Sequence, residues 1–146
     1  MLAPDEQPAR GSLSGADFIR QFLPISPYVV YLGMQFVAME PGVATLTLPF
    51  SEALVTIGTV MHGGAIASLI DTTAMVAAWS GAELPAKIRG STVNLTVTYL
   101  APVELEDIQA TARVLRRGRS LVYLDVDVQT AAGIAVAKGL VTYKLG

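Results

Sequence analysis

Residues 63–79 constrain this chain's fold more than any other run. Their apolar side chains lie all round a helix instead of along one stripe, so the helix must be covered on most of its sides. With 146 residues the chain can build one domain with a real core but not two comfortable ones, so the cover has to come from its own strands. Strand signals follow the helix to the end of the chain. Residues 91–100 set Asn94, Thr96 and Thr98 on one face and Val93, Leu95, Val97 and Tyr99 on the other. Residues 108–115 form the next strand, and Arg117-Gly118-Arg119 a hairpin turn. Residues 121–129 alternate Val122, Leu124, Val126 and Val128 against Asp125 and Asp127; Ala132-Gly133 turns the chain again before 134–143. Ahead of the helix, 34–39 and 44–48 read as strands around Pro41-Gly42, and 51–61 as a loop.

Short turns after residue 115 require antiparallel pairing. One apolar helix and one antiparallel sheet must bury their faces together. The expected architecture is therefore α+β: one long central helix wrapped by a curved antiparallel sheet of about six strands. A short N-terminal helix precedes it, starting at Ser14, with Asp17 placed as in a capping box and Phe18, Ile19, Phe22 and Leu23 as its apolar face. Pro24 ends that helix, and residues 28–32 are expected to pack on the main body. Residues 1–12 have the composition of a loose tail, so the expected division is 1–29 for tail and short helix and 30–146 for the main domain.

Composition narrows the function. Charged residues make up only 15%, against roughly a quarter in average soluble domains, so part of the apolar surface is expected to lie between subunits. A net charge of −2 argues against nucleic acid as a partner. With no cysteine and one histidine, thiolate and multi-histidine metal sites cannot form within a chain. Residues 1–6 lack the basic start and apolar core of a signal peptide. The longest apolar run, 65–79, is interrupted by Ser68, Asp71, Thr72 and Thr73, so no membrane span and a cytoplasmic location are expected.

The chemistry concentrates at the start of the long helix. His62, the single histidine, precedes Gly63 and Gly64; Asp71 is the only charged residue between Glu52 and Glu83. Glycines at a helix start offer bare N–H groups to developing negative charge. A carboxylate within an apolar helix needs a partner or a purpose, and burial would raise its pKa. Together they point to acyl transfer. Gly63 and Asp71 are eight residues apart, about 12 Å along a helix axis, too far to serve one carbonyl from the same chain. A site built from Gly63 of one subunit and Asp71 of another is expected, which requires at least a homodimer.

His62-Gly63-Gly64 with Asp71, the strand Asn94-Leu95-Thr96-Val97-Thr98-Tyr99-Leu100 with Pro102, and the Arg-Arg-Gly-Arg turn at 116–119 resemble the hotdog-fold acyl-CoA thioesterases. Within them the chain looks most like the subfamily containing the phenylacetic-acid-degradation thioesterase, over roughly residues 30–145. The resemblance implies a hotdog fold and hydrolysis of an aromatic or fatty acyl-CoA. It implies Asp71 as general base or nucleophile, the Gly63 N–H as oxyanion donor, and a site-shaping role for His62; Gly64 is a candidate for substrate binding. Many relatives carry an asparagine six residues before the histidine, where this chain has Thr56; Thr92 matches a serine or threonine near the attacking water. Arg89, Arg116, Arg117 and Arg119 are candidates for the phosphates of coenzyme A. No cofactor is expected beyond the coenzyme A of the substrate, and self-association is expected as a homodimer or a dimer-of-dimers tetramer. The competing readings are a hotdog dehydratase or hydratase, disfavoured by the lack of prolines near His62, and a non-catalytic acyl-CoA-binding module, disfavoured by Asp71.

Overall fold

The computed structural model describes residues 13–85 and 87–146. The tail expected over 1–12 lies outside the described residues. The first helix, α1 (Gly15–Phe22), starts as expected: the Asp17 N–H donates to Ser14 Oγ at 3.1 Å, and the Ser14 N–H to Asp17 Oδ2 at 3.1 Å. After one tight turn at 23–25 the chain forms a second helix, α2 (Pro27–Leu32), where the sequence reading expected one N-terminal helix and an apolar stretch. The signals for α2 were present. Proline suits the first helical position, and Gly33 ends the helix in a left-handed conformation (φ 78°), donating to the carbonyls of Val29 and Val30. The expected boundary at 29/30 falls inside α2.

The strands are β1 (Gln35–Glu40), β2 (Val43–Leu48), β3 (Val55–Ile57), β4 (Val60–Met61), β5 (Gly90–Tyr99), β6 (Ile108–Arg117), β7 (Leu121–Thr130) and β8 (Ala135–Leu145); the long helix α3 (Gly63–Ser80) separates β4 from β5. Six strands form one antiparallel sheet in the order β1-β2-β6-β7-β8-β5, matching the expected number. The segment expected as a loop at 51–61 instead carries a short turn and the separate β3–β4 ribbon. That ribbon delivers the chain to the helix: the His62 N–H donates to the Leu54 carbonyl at 2.7 Å.

Helix α3 lies across the concave face of the sheet. Leu69, Ile70, Ala74, Val76 and Ala77 are fully buried, as are Leu46, Leu48, Ala110, Ala112, Val122 and Val126 from the strands. The approach is close enough that a Cβ at Gly139 of β8 would sit 2.5 Å from Ile70 Cγ2, so glycine is required there. Strand β7 alternates inward and outward along its length, but β5 does not. It is an edge strand, and in the single protomer Val93, Leu95, Tyr99 and Leu100 next to its end are exposed. The apolar face expected on this strand exists but is left largely uncovered.

Two β-bulges decide which side chains turn inward. In β6 the register shifts between Val114 and Arg116, so Arg117 pairs with the buried Val122 and faces the helix, while Arg116 pairs with Tyr123 on the outer face. In β5 the shift between Thr92 and Asn94 pairs Thr92 with the buried Tyr143. Without that extra residue, strict alternation from Val97 and Leu95 would have turned Thr92 outward with Asn94 and Thr96.

Candidate active site

The start of α3 has one unspent backbone donor. His62 is the N-cap, extended at φ −64° and ψ 133°, and its Nδ1 accepts the Gly64 N–H at 2.7 Å. An imidazole nitrogen here does what a serine or aspartate oxygen does in most caps. Because Nδ1 accepts, the ring proton of the neutral form resides on Nε2. The N–H groups of Ala65 and Ile66 donate to the His62 carbonyl at 3.0 and 3.3 Å. Among the described residues, the Gly63 N–H donates to nothing, and it points out of the positive end of an 18-residue helix. His62 thus takes the neighbouring N–H and leaves Gly63 free.

Tyr99 completes this end, and the sequence reading did not place it in the site. Its hydroxyl donates to the Gly63 carbonyl at 2.7 Å. Its ring lies so close that a Cβ at Gly63 would stand 3.2 Å from Tyr99 Cζ and Oη. Glycine at 63 therefore has a packing reason as well as a chemical one. The signal was the inward register of Tyr99 on the same strand as Thr92.

Two turns further along the helix, Asp71 is half-buried, not enclosed as the sequence reading expected, because the edge strand beside it has no cover in the single protomer. Thr92 Oγ1 donates to Asp71 Oδ1 at 2.5 Å, the bond made possible by the β5 bulge. Among the described residues Asp71 Oδ2 has no hydrogen-bond partner, so one carboxylate oxygen is oriented and the other is available. Strand β5 runs antiparallel to the helix direction and touches both chemical groups, Thr92 on Asp71 and Tyr99 on Gly63. Tyr143, the strand partner of Thr92, is kept protonated: burial raises its pKa above the usual tyrosine range, the hydrogen bond from Trp79 acts against this, and the negative charge of Asp71 adds to it.

The remaining candidates fall in four places. Thr56 is exposed on β3, in the ribbon that leads into His62. Arg89 is exposed just before β5, its carbonyl accepting from Gly146 N–H at 2.7 Å. Arg116 and Arg119 line an open surface cavity of about 550 Å³ at the β6–β7 turn. Arg117 is committed elsewhere. Its Nη2 donates to the Ala78 carbonyl at 3.0 Å, capping the negative end of α3, and burial pulls its pKa below the usual arginine range. Among the described residues no cluster of three or more histidine, aspartate or glutamate side chains could hold a metal, and no helix is long and apolar enough to cross a membrane.

A six-stranded antiparallel sheet around one helix, with an open amide at the helix start and a held carboxylate two turns on, defines a hotdog protein equipped for acyl chemistry. Sequence comparison leads to the same class: the thioesterase superfamily profile matches residues 58–137, more than half of the chain. This protein belongs to the thioesterase superfamily and is a thioester hydrolase. Among its relatives, human acyl-coenzyme A thioesterase 13 is 39% identical over 95 residues, covering 62% of this chain and 63% of that protein, so the match spans slightly under two thirds of the relative's length. The solved structure of the conserved protein PA5202 from Pseudomonas aeruginosa is 31% identical, with a TM-score of 0.74 over 84% of this chain and 95% of that one. Zebrafish thioesterase superfamily member 2 is 29% identical, with a TM-score of 0.76 over 92% of this chain and all of that one.

Proposed function

We propose that the protein hydrolyses acyl-CoA thioesters, with Asp71 as general base and the Gly63 N–H as oxyanion donor from a neighbouring subunit. The observation that carries this reading is the pair of unspent groups on α3: one free amide at its start and one free carboxylate oxygen at Asp71. Asp71 takes a proton from water as the water oxygen bonds to the thioester carbon. The carbonyl oxygen, becoming negative, accepts from Gly63, a donor of the kind worth about 3–4 kcal/mol of barrier. The C–S bond then breaks, and the proton held by Asp71 passes to the departing thiolate. Thr92 holds the carboxylate with one oxygen turned toward the water.

The two groups are separated by about 12 Å of helix, so a second copy of the chain is required. Its place is the open side of β5, where Val93 is 57% exposed and Leu100, just beyond the strand, 56%, and where backbone groups of the edge await a partner. Two-fold pairing there sets the helices antiparallel, Gly63 of one facing Asp71 of the other. Coenzyme A phosphates are assigned to Arg116 and Arg119, since Arg117 is occupied by the helix end.

The test is thiol release from acyl-CoA esters by wild type and Asp71→Asn. The variant should lose on the order of 10²–10⁴ in turnover while its thermal melt is retained. Equal turnover in both would refute the assignment to Asp71. Wild type that dehydrates a 3-hydroxyacyl-CoA but releases no thiol would shift the reading to a dehydratase. Mixing Asp71→Asn with Gly63→Pro protomers should restore activity in heterodimers, which a site formed within one chain would not allow.

A further inference from the structure

A cavity of about 320 Å³ lies between the two N-terminal helices and α3. Phe18, Phe22 and Tyr28 roof it, and Thr72, Met75 and Trp79 form its floor along one stripe of α3. We propose that this cavity receives the acyl group attacked by Asp71 of the same protomer, that it selects uncharged, apolar acyl groups of medium bulk, and that the α1–α2 roof sets their upper size. The inference rests on the acyl-CoA thioesterase reading and adds to it the chemical class of the acyl group.

Position comes first. Tyr143 lines the cavity, and its strand partner Thr92 is the residue that holds Asp71. Thr72, also in the wall, directly follows Asp71. A thioester carbonyl at Asp71 therefore has the cavity beside it, on the side where β5 and β8 meet the helix. The roof is also tied to the chemical end of the helix. Ser68 Oγ donates its proton to the Gly64 carbonyl at 2.8 Å, so the 2.9 Å contact between Tyr28 Oη and Ser68 Oγ has tyrosine as donor.

Chemistry and size come next. Among the described residues lining the cavity, none carries a formal charge. The polar tips of two of its aromatic residues are turned on each other: Trp79 Nε1 donates to Tyr143 Oη at 3.1 Å, so the lining is mainly ring faces, aliphatic side chains and the Met75 thioether, with the neutral hydroxyls of Ser26 and Thr72. A carboxylated acyl group would lose its hydration here without a partner, whereas an alkyl or aryl group gains by burial. An apolar cavity of about 150 Å³ suffices for benzene, so twice that volume suits a ring with a spacer or a medium alkyl chain. The roof is a built wall: Phe18 stacks on Phe22 at 5.2 Å and meets Trp79 edge-on at 5.4 Å.

Trp79 is the only tryptophan in the chain, which gives the cavity its own reporter. The full-length protein is assayed with acetyl-, succinyl-, phenylacetyl-, octanoyl- and palmitoyl-CoA, and its tryptophan emission is titrated with free octanoate. Wild type should prefer octanoyl- and phenylacetyl-CoA in kcat/KM, discriminate against succinyl-CoA, and show a saturable change in emission. Met75→Phe, which fills the floor, should lower the octanoyl-to-acetyl ratio at least tenfold and abolish the emission change. Phe22→Ala, on the partly exposed roof, should move the preference toward palmitoyl-CoA. Unchanged selectivity in both folded variants, with thioester hydrolysis intact, overturns the cavity assignment while leaving the thioesterase reading standing. Absence of thiol release from every ester overturns the reading itself, and the acyl assignment with it.

Discussion

The two ends of the central helix are finished differently. At the C-terminal end three of the last four carbonyls are spoken for: Ala77 accepts from Ser80 Oγ at 2.7 Å, Ala78 from Arg117 at 3.0 Å, and Trp79 from the Ala82 N–H at 3.0 Å. At the N-terminal end His62 satisfies Gly64, Ala65 and Ile66 but leaves Gly63 open. Helices ordinarily fill both ends with caps. A helix tied to the sheet by a side-chain cap at one end and left with an open amide at the other separates two tasks. The C-terminal end anchors the helix to the β6–β7 hairpin and contributes to stability. The N-terminal end leaves one donor free, the one that the proposed scheme assigns to the oxyanion.

The most direct way to break this contrast is to remove the reserved donor. Gly63→Pro deletes the N–H at a first helical position, where proline is well tolerated, and the extended His62 before it has the backbone that a residue preceding proline prefers. Turnover should fall about 10²–10³-fold with a modest change in melting temperature. Gly63→Ala keeps the N–H and adds a Cβ against the half-exposed Tyr99 ring, so it separates steric from electronic loss. Proline also carries a Cβ, so equal losses in the proline and alanine variants would make residue 63 a packing position and not a donor.

The opposite end should give the opposite result. Arg117→Met removes a charged donor from the Ala78 carbonyl, at a cost of about 1.5 kcal/mol. That corresponds to a fall of roughly 3–6 °C in the melt, with no loss of turnover in the fraction that stays folded. A loss of coenzyme A affinity without a change in stability would return Arg117 to the phosphate-binding role that the sequence assigns to it.

Arg117 also shows where sequence reasoning reaches its limit. The helix was legible to within a residue at its end, because its apolar surround and the glycines at its start admit few alternatives. The strands after it were legible from their alternation. Which arginine of the Arg116-Arg117 pair turns inward was not, because one extra residue in β6 inverts the alternation just before it. The same device hid the orientation of Thr92. Alternation alone turns it outward, while the β5 bulge turns it onto Asp71. Asp71 itself was legible as a misplaced charge, but its half-burial reflects the position of β5 at the sheet edge, uncovered in the single protomer. Helix α2 and the β3–β4 ribbon are short elements made by turn chemistry at Pro27, Gly33 and Gly58, and hydrophobic period carries little information over so few residues.

A smaller effect tests how His62 serves the open end. His62→Ala should cost about 1 kcal/mol of stability and lower turnover as the first turn loosens, and His62→Asn should recover most of both, since asparagine is a strong cap. Failure of asparagine to recover turnover, with stability restored, would mean that the imidazole itself takes part in the reaction.

The smallest expected effect is the most informative about design. Tyr99 touches no reacting atom in the proposed scheme; it holds the Gly63 carbonyl from the side of β5. The peptide unit bearing that carbonyl leads directly into Gly64, whose N–H is held by His62, so the unit is fixed from both sides. Tyr99→Phe keeps the ring against Gly63 and removes only the hydroxyl. A neutral hydrogen bond contributes about 0.5–1.5 kcal/mol, and part of this should appear as a fall in kcat of roughly fivefold or less with KM unchanged. Amide exchange at Gly64 should accelerate in step. If stability falls but kcat does not, the hydroxyl only braces the helix against β5. If kcat falls with stability unchanged, the open end of α3 is aimed as well as open.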